Sequence, residues 1–596
     1  MLTASSVTPV VTIDLGSGRE LGVASGFGPF DADAGSRFRH ADRGAQIDLG
    51  DFGAGGDWRV DIVAAQPREA RDAVIVELGT ARVVGDLRAA WTPHAARIDV
   101  PFGWRPGPRL VFPEAPGRRV SQAKIDRGGA WPAPRTTVML ALGAVLLGCG
   151  IGGLDLGRAG ASLAALAWVG LGTLAVRVDP LVAIPFGTTA LCIAVLGSAV
   201  LAALGGSARL AQRRGQPSSV PESALAAVGL GFVGWLTAAA YPLYRGGNFL
   251  FHSNIAEEIW KGRFWIYYLP FPGSMLSRQA QWGNILVPHP CLEQTLLAPL
   301  AALPQPWFHF SEKAVVSLWL AGMAWVAARL AATAGQRAAT LAAVVAATLV
   351  PGYQLLGLGH LMTVLGCLGG TLALAFLALR LPRLAEAPVA WALVGFLTFA
   401  FLSYFAALLF SGLALGLVLA LLARAEPRLA RRLLWATAGG ATLAFLLYYI
   451  HWALPFLAQS VPRILGGSAA RPSESATPIL SRLLLQPGKL GYSYGSAWIP
   501  LVGLAGLSLL PRGSTRMVVA CWAAVLPVVS GLDVFFNFLL KHHYFVMVPV
   551  ASGCGLVLAR IAEHGRLGRA TALLLVLLLA VLGLDTAYAV AVGQIP

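Results

Sequence analysis

The chain has 596 residues, of which 56% are hydrophobic and 12% charged. Soluble domains carry about 25% charged residues, so a purely soluble protein is excluded. The net charge of +16 does not mark a nucleic-acid binder, because the arginines sit in short clusters between apolar stretches, as topology signals do.

Residues 1–135 differ from the rest. Short alternating runs recur there: VVTIDLG at 10–16, AQIDLG at 45–50, WRVDIV at 58–63, AVIVELG at 73–79, ARIDVPF at 96–102 and PRLVF at 108–112. Turn residues separate them. This pattern predicts an all-β sandwich, jelly-roll-like, that binds carbohydrate or a partner or acts as a spacer.

Residues 136–596 read as a helical membrane bundle of about fourteen spans. The spans lie near 136–153, 159–176, 181–204, 223–241, 313–333, 338–352, 359–379, 387–403, 405–423, 433–454, 493–510, 517–533, 542–559 and 570–590. Arginine clusters such as Arg209, Arg213 and Arg214, or Arg428, Arg431 and Arg432, mark one face as cytoplasmic. The other face then carries the β domain and the outer loops 242–312 and 455–492. An exported β domain requires a signal or anchor helix, and MLTASSVTPV is neither, so the expectation is an anchor upstream of this chain. A cytoplasmic β domain with one span miscounted is the alternative. The six cysteines stand singly, without metal-site spacing, and read as small packing residues.

The loop 242–312 holds the most informative stretch, NFLFHSNIAEEIWKGRFWIYYLPFPGSMLSRQAQWGNILVPHPCLEQ, from Asn248 to Gln294. Ionisable residues in such a setting mark work done at the membrane surface or in a cavity. Asn254 and Glu257 fit a helix cap and its capping-box partner, which predicts a short helix over 255–261 stopped by Gly262. Glu293 is expected to pair with Arg278 or Arg263 on the surface. Asp533 is expected to pair with the basic run Lys541, His542 and His543. That run sits on the face the positive-inside rule disfavours; phosphate binding explains it, and so does snorkelling to lipid headgroups. His360, Tyr404, Tyr448, Tyr449 and His451 are polar groups in apolar spans, expected to be satisfied by interhelical hydrogen bonds.

Two segments carry a family resemblance. GGNFLFHSNIAEEIWKGRF resembles the opening of the large outer loop of GT-C superfamily glycosyltransferases, and FFNFLLKHHYFVMVPV resembles a basic-aromatic segment near their last spans. The resemblance implies a GT-C-like bundle in the bacterial cytoplasmic membrane, with its active face extracytoplasmic. It implies transfer of a sugar from a polyprenyl-phosphate donor to a glycan, lipid or protein acceptor in envelope biogenesis. The chain departs from the pattern at Asn248, where many relatives open the loop with an acidic residue.

Such a transfer needs a carboxylate for the acceptor hydroxyl and cations for the departing phosphate. Glu258 is the first candidate for the carboxylate, with Glu257 and His252 beside it in the catalytic set. Asn248, His289, Arg278, Lys541, His542, His543 and Tyr544 are the candidates for substrate binding. The cofactor is unknown; oxygen ligands leave room for a divalent cation, Mg or Mn. A lipid-linked oligosaccharide flippase or transporter, and a non-catalytic glycolipid-binding scaffold, are the rival readings. Nucleic acid is not an expected partner.

Overall fold

A computed structural model describes residues 10–15, 24–33, 36–48, 57–65, 70–78, 81–88, 90–99, 109–112, 118–126, 134–152, 154, 157–178, 186–213, 220–241, 244, 246, 248–269, 281–282, 285–286, 289–465, 479–536 and 541–591. The chain divides into two compact units, Met1–Ala203 with Tyr241–Leu243, and Leu204–Ala240 with Tyr244–Pro596.

The first unit opens with strands β1 (Val10–Asp14), β2 (Ala24–Asp33), β3 (Ser36–Asp48), β4 (Asp57–Ala65), β5 (Ala70–Leu78), β6 (Ala81–Leu87), β7 (Thr92–Asp99), β8 (Arg109–Val111) and β9 (Arg119–Asp126). They hydrogen-bond in the order β6-β5-β8-β3-β9-β4-β7, with β1 added on β9 and β2 on β3. All printed pairings are antiparallel. Alternation sets the faces: Val60, Ile62 and Ala64 are buried, while Arg59 and Asp61 pair at 2.9 Å on the other side. The six runs read from sequence fall on β1, β3, β4, β5, β7 and β8. Strand β9, RVSQAKID, is central yet polar in sequence; Val120 and Ala123 on it are buried hydrophobics. Three apolar helices follow, α1 (Pro134–Gly152), α2 (Gly157–Val178) and α3 (Gly187–Arg213), the last running on into the second unit.

The second unit begins its own helices with α4 (Glu222–Ala240). The loop region supplies α5 (Phe249–Glu258), α6 (Phe264–Tyr268), the two-residue strands β10 and β11 at 281–282 and 285–286, and α7 (Leu292–Leu297). The bundle continues through α8 (Gln305–Ala331), α9 (Gln336–Thr348), α10 (Val350–Gly357), α11 (Leu361–Arg380), α12 (Ala387–Ser403), α13 (Phe405–Ala425) and α14 (Pro427–Ala444). It closes with α15 (Ile450–Leu465), α16 (Ile479–Tyr494), α17 (Trp498–Gly506), α18 (Ser514–Ala523), α19 (Val525–Phe536), α20 (Lys541–Phe545), α21 (Met547–Ala562) and α22 (Gly565–Ala591).

Among the described residues, nine helices are long and apolar enough to cross a membrane. The protein is therefore a multi-pass helical membrane protein. Val138–Gly152, Gly160–Ala175, Ala387–Ser403, Trp498–Leu509 and Met547–Ala562 are apolar but shorter. The segment expected at 338–352 is longer than its hydropathy suggests: it bends at Leu349, which is extended, and resumes as α10.

Small residues let helices touch backbone to backbone. A Cβ on Gly503 would stand 2.7 Å from the Val550 carbonyl oxygen, and one on Gly553 would clash with the Gly503 carbonyl. Lipid supplies no hydrophobic drive between helices, so such close approach is a main source of their cohesion. Replacing Gly553 with Leu is expected to cost at least about 1–3 kcal/mol through overpacking. A detergent-extracted G553L protein should melt well below its parent; an unchanged melting temperature would show that α17 and α21 separate freely.

Candidate functional site

The loop helix α5 starts at Asn248, not at Asn254. The Asn248 carbonyl accepts the His252 N–H at 3.2 Å, so the helical ladder is already running at 252. The capping box expected of Asn254 and Glu257 is therefore not formed. Phe249, His252, Ser253, Ile255, Ala256 and Ile259 are buried, the spacing of one helical face. Gly262 adopts φ 85, which breaks the helix where the stop was expected. Beyond it, α6 presents Trp265 to the surroundings and stacks Phe264 on Tyr268 at 5.0 Å.

Glu257 and Glu258 fall on the opposite face of α5. Lys261 lies 2.8 Å from Glu257 and 3.6 Å from Glu258, and Arg263 also pairs with Glu258. These are half-exposed ion pairs, of a kind worth about 0–1 kcal/mol.

Glu293, expected at the surface, is fully buried. It sits on α7, which packs on α5, and its Oε2 is 3.1 Å from His252 Nδ1. Gln294 meets the same ring nitrogen at 2.9 Å. Nδ1 cannot donate to one and accept from the other at once. The hydrogen bond is the one with Gln294; Glu293 Oε2 stands close to the ring but outside hydrogen-bond geometry. The reason for the correction is geometric. A helix starting at 249 turns His252 inward, and a buried imidazole then recruits the nearest carboxylate.

A second buried carboxylate completes the cluster. Glu312, on α8, accepts the Ser253 hydroxyl at 2.7 Å and lies 3.3 Å from His309 Nδ1. Glu293 lies within its electrostatic reach. The Lys313 ammonium sits over the rings of Tyr244 and Phe249, at 4.8 and 5.2 Å. Both Glu293 oxygens and Glu312 Oε1 are buried without a hydrogen-bond partner. Oxygens with open acceptor capacity, in an apolar setting, are where a hydroxyl or a cation binds most strongly. Sequence reading missed Glu312; it lies inside an apolar span, and an intramembrane carboxylate was the available signal. Among the described residues, no group of three or more His, Cys, Asp or Glu side chains is arranged to hold a metal ion.

The side chains of the other candidates meet different partners. Asn248 is exposed and its amide meets His360 Nδ1 at 3.2 Å. His289 stacks on Tyr404, centroids 5.8 Å apart and planes 7° from parallel, and its carbonyl accepts the Tyr448 hydroxyl. Tyr449 donates to the Phe401 carbonyl at 2.8 Å. Of the intramembrane tyrosines, Tyr449 thus makes the expected interhelical bond, while Tyr448 bonds to the loop at His289. Arg278 lies outside the described residues, as does the side chain of Lys541.

His542 and His543 are fully buried, and Tyr544 nearly so. Ser493 meets His543 Nδ1 at 2.8 Å, Ser530 meets His542 Nε2 at 3.2 Å, and Tyr544 donates to Gln354 at 3.2 Å. The pairing expected of Asp533 with Lys541 falls on a side chain outside the described residues; Asp533 pairs with Lys489 and with Gln486, the latter at 2.8 Å. Helix α16 explains this. Its Gln486, Ser493 and Tyr494 turn inward, while Leu480, Leu483, Leu484 and Leu485 are exposed. The partner for a buried aspartate thus arrives from a distant helix whose polar side faces the protein.

No family model matches the sequence, and no curated protein does. Among solved structures, the oligosaccharyltransferase of Archaeoglobus fulgidus in the apo form aligns over 62% of this chain and 56% of its own, at 13% identity and TM-score 0.38. The same enzyme tethered to an acceptor peptide aligns over 62% of this chain and 55% of its own, at 12% identity and TM-score 0.38. The C-terminal CBM6 of LamC, a marine laminarinase from Zobellia galactanivorans, aligns over 20% of this chain and 98% of its own, at 13% identity and TM-score 0.15. The chain thus spans little more than half the length of the oligosaccharyltransferase. At these TM-scores the alignments assign neither a fold nor an activity.

Burial pushes the Cys291 thiol, one residue before α7, from its ordinary 9.0 up to about 11. The thiolate is the reactive form, so at pH 8 its population falls about a hundredfold against an ordinary thiol. Iodoacetamide should label Cys291 at that reduced rate in the folded protein and at the ordinary rate after denaturation. Equal rates in both states would mean that this loop opens readily.

Proposed function

We propose that this protein is a GT-C-type glycosyltransferase of the bacterial cytoplasmic membrane. It moves a sugar from a polyprenyl-phosphate donor to an extracytoplasmic glycan, lipid or protein acceptor. The shorter apolar helices enter the bilayer with the nine longer ones, and the strands of the first unit fold as a sandwich on the extracytoplasmic side. Support comes from the resemblance of the 246–264 and 535–550 segments to that superfamily. It comes also from one geometric observation: a buried carboxylate, Glu293, held by His252 within the large loop and carrying an oxygen without a partner.

In this reading Glu293 takes the general-base role first assigned to Glu258. A base must be held within about 2.6–3.2 Å of the proton that it removes, and a fixed, desolvated carboxylate suits this better than one shared between two surface cations. His252, itself held by Gln294, stands against Glu293 and positions it; Glu312 supplies a second acceptor for the sugar hydroxyls. Lys489 provides a cation for the departing phosphate and the buried His542 and His543 offer ring nitrogens as hydrogen-bond groups, with Lys541 and Arg278 as further candidates. Substrate entry requires α5 and α7 to part, a gating motion of the kind that sets the turnover of many enzymes.

The test is turnover and donor binding with a panel of polyprenyl-phosphate sugars. Glu293→Gln is expected to lower kcat by about 10²–10⁴, the contribution of general-base catalysis, with donor affinity nearly unchanged. Glu258→Gln should change either quantity by less than about fivefold, as a surface pair would. An active E293Q enzyme, or an inactive E258Q one, would return the role to Glu258. No transfer or donor binding by the parent protein with any lipid-linked sugar would favour the transporter or scaffold.

A further inference from the structure

Four helix ends meet at one margin of the second unit, away from the loop cluster in sequence. Helices α4, α9 and α22 begin there and α21 ends there, leaving a groove of about 510 Å³ between them. Three of those termini belong to membrane-length apolar segments, Glu222–Ala240, Gln336–Gly357 and Gly565–Ala591, so the groove stands at the level of one membrane surface.

Its lining changes character with depth. Leu341, Leu573 and neighbouring aliphatic side chains form the walls. Arg337 and Arg569, both exposed, stand at the mouth. Ser223 and Thr340 add hydroxyls, hydrogen-bonded to one another at 2.7 Å. Among the described residues neither arginine meets a carboxylate; Arg569 reaches only the Gly565 carbonyl, at 3.3 Å. Helix α9 starts at Gly335 without a side-chain cap, so the N–H groups of its first turn lack intrahelical acceptors beside Arg337. The floor is lipid-like, while the rim combines two cations, two hydroxyls and a helix N-terminus. Each rim element favours an anion.

We propose that this groove is a binding site for an anionic phospholipid. The phosphate lies between Arg337 and Arg569, and the first acyl carbons lie along Leu341 and Leu573. The volume falls in the ordinary range for ligand sites, about 300–1,000 Å³. Two arginines, each worth about 1 kcal/mol toward an anionic membrane lipid, give a preference over zwitterionic lipid of about thirtyfold. The proposal does not depend on the chemistry of the loop cluster.

The experiment uses the full chain in nanodiscs of dioleoylphosphatidylcholine doped with dioleoylphosphatidylglycerol, and reads the lipids retained by native mass spectrometry. The parent should retain phosphatidylglycerol about thirtyfold over its share of the disc. The double variant R337Q/R569Q should fall to parity, while R337K/R569K, which keeps both charges, should keep most of the preference. Circular dichroism confirms that each variant is folded. Equal retention of the two lipids by the parent overturns the proposal. So does an undiminished preference in R337Q/R569Q, which would place the anionic lipid at another basic cluster.

Discussion

The second unit is organised by the cost of placing charge inside an apolar bundle. An uncompensated carboxylate there is costly by any estimate, so each one needs a partner or a proton. Glu293 has His252, Glu312 has Ser253 and His309, and Asp533 has Lys489 and Gln486. His309 lies on the same helix as Glu312, three residues away; the other partners join elements far apart in sequence. The contacts therefore position the elements: α5 is held to α7 and α8 by the first two, and α16 to α19 by the third. Gln354 extends the pattern, receiving the Tyr544 hydroxyl and donating to the Tyr492 carbonyl, so that α10 ties α16 to α20.

The same constraint separates two kinds of acidic residue in the loop. Glu257 and Glu258 neutralise Lys261 and Arg263 within a turn or two of the chain. That is a local, solvent-screened arrangement, and it asks nothing of the fold. Glu293 and Glu312 are held by the tertiary structure, and each retains an oxygen without a partner. Structural ion pairs usually satisfy both oxygens, so an incompletely satisfied, buried pair is a feature of sites that receive a ligand.

Much of this architecture was legible in the sequence, and the reasons for the rest are physical. Hydropathy marked the membrane helices because lipid imposes length and apolarity together. Alternation found Val60 and Ile62 on β4, but passed over β9, whose sequence is polar at most positions although it lies in the middle of the sheet. The loop was read as short helices around a stop at Gly262, which holds. Its first helix was started six residues late, because a plausible cap at Asn254 outweighed the Gly-Gly-Asn break before Phe249. That shift reverses which acidic residues appear to face inward. Local spacing therefore points to Glu258, whereas the fold buries Glu293. Pairing between distant helices left no trace in local spacing, so Lys489 was not connected to Asp533.

Helix α16 carries a consequence for how the molecule is made. Its leucines point outward and its Gln486 and Lys489 inward, toward an aspartate that lies 44 positions beyond Lys489 in the chain. When α16 leaves the ribosome Asp533 has not yet been synthesised, and an isolated helix of this pattern rests at the bilayer interface with its polar side in water. It must roll over once α19 arrives. The contact therefore waits on α19, and a chain cut between residues 500 and 530 would lack the aspartate that Gln486 and Lys489 face.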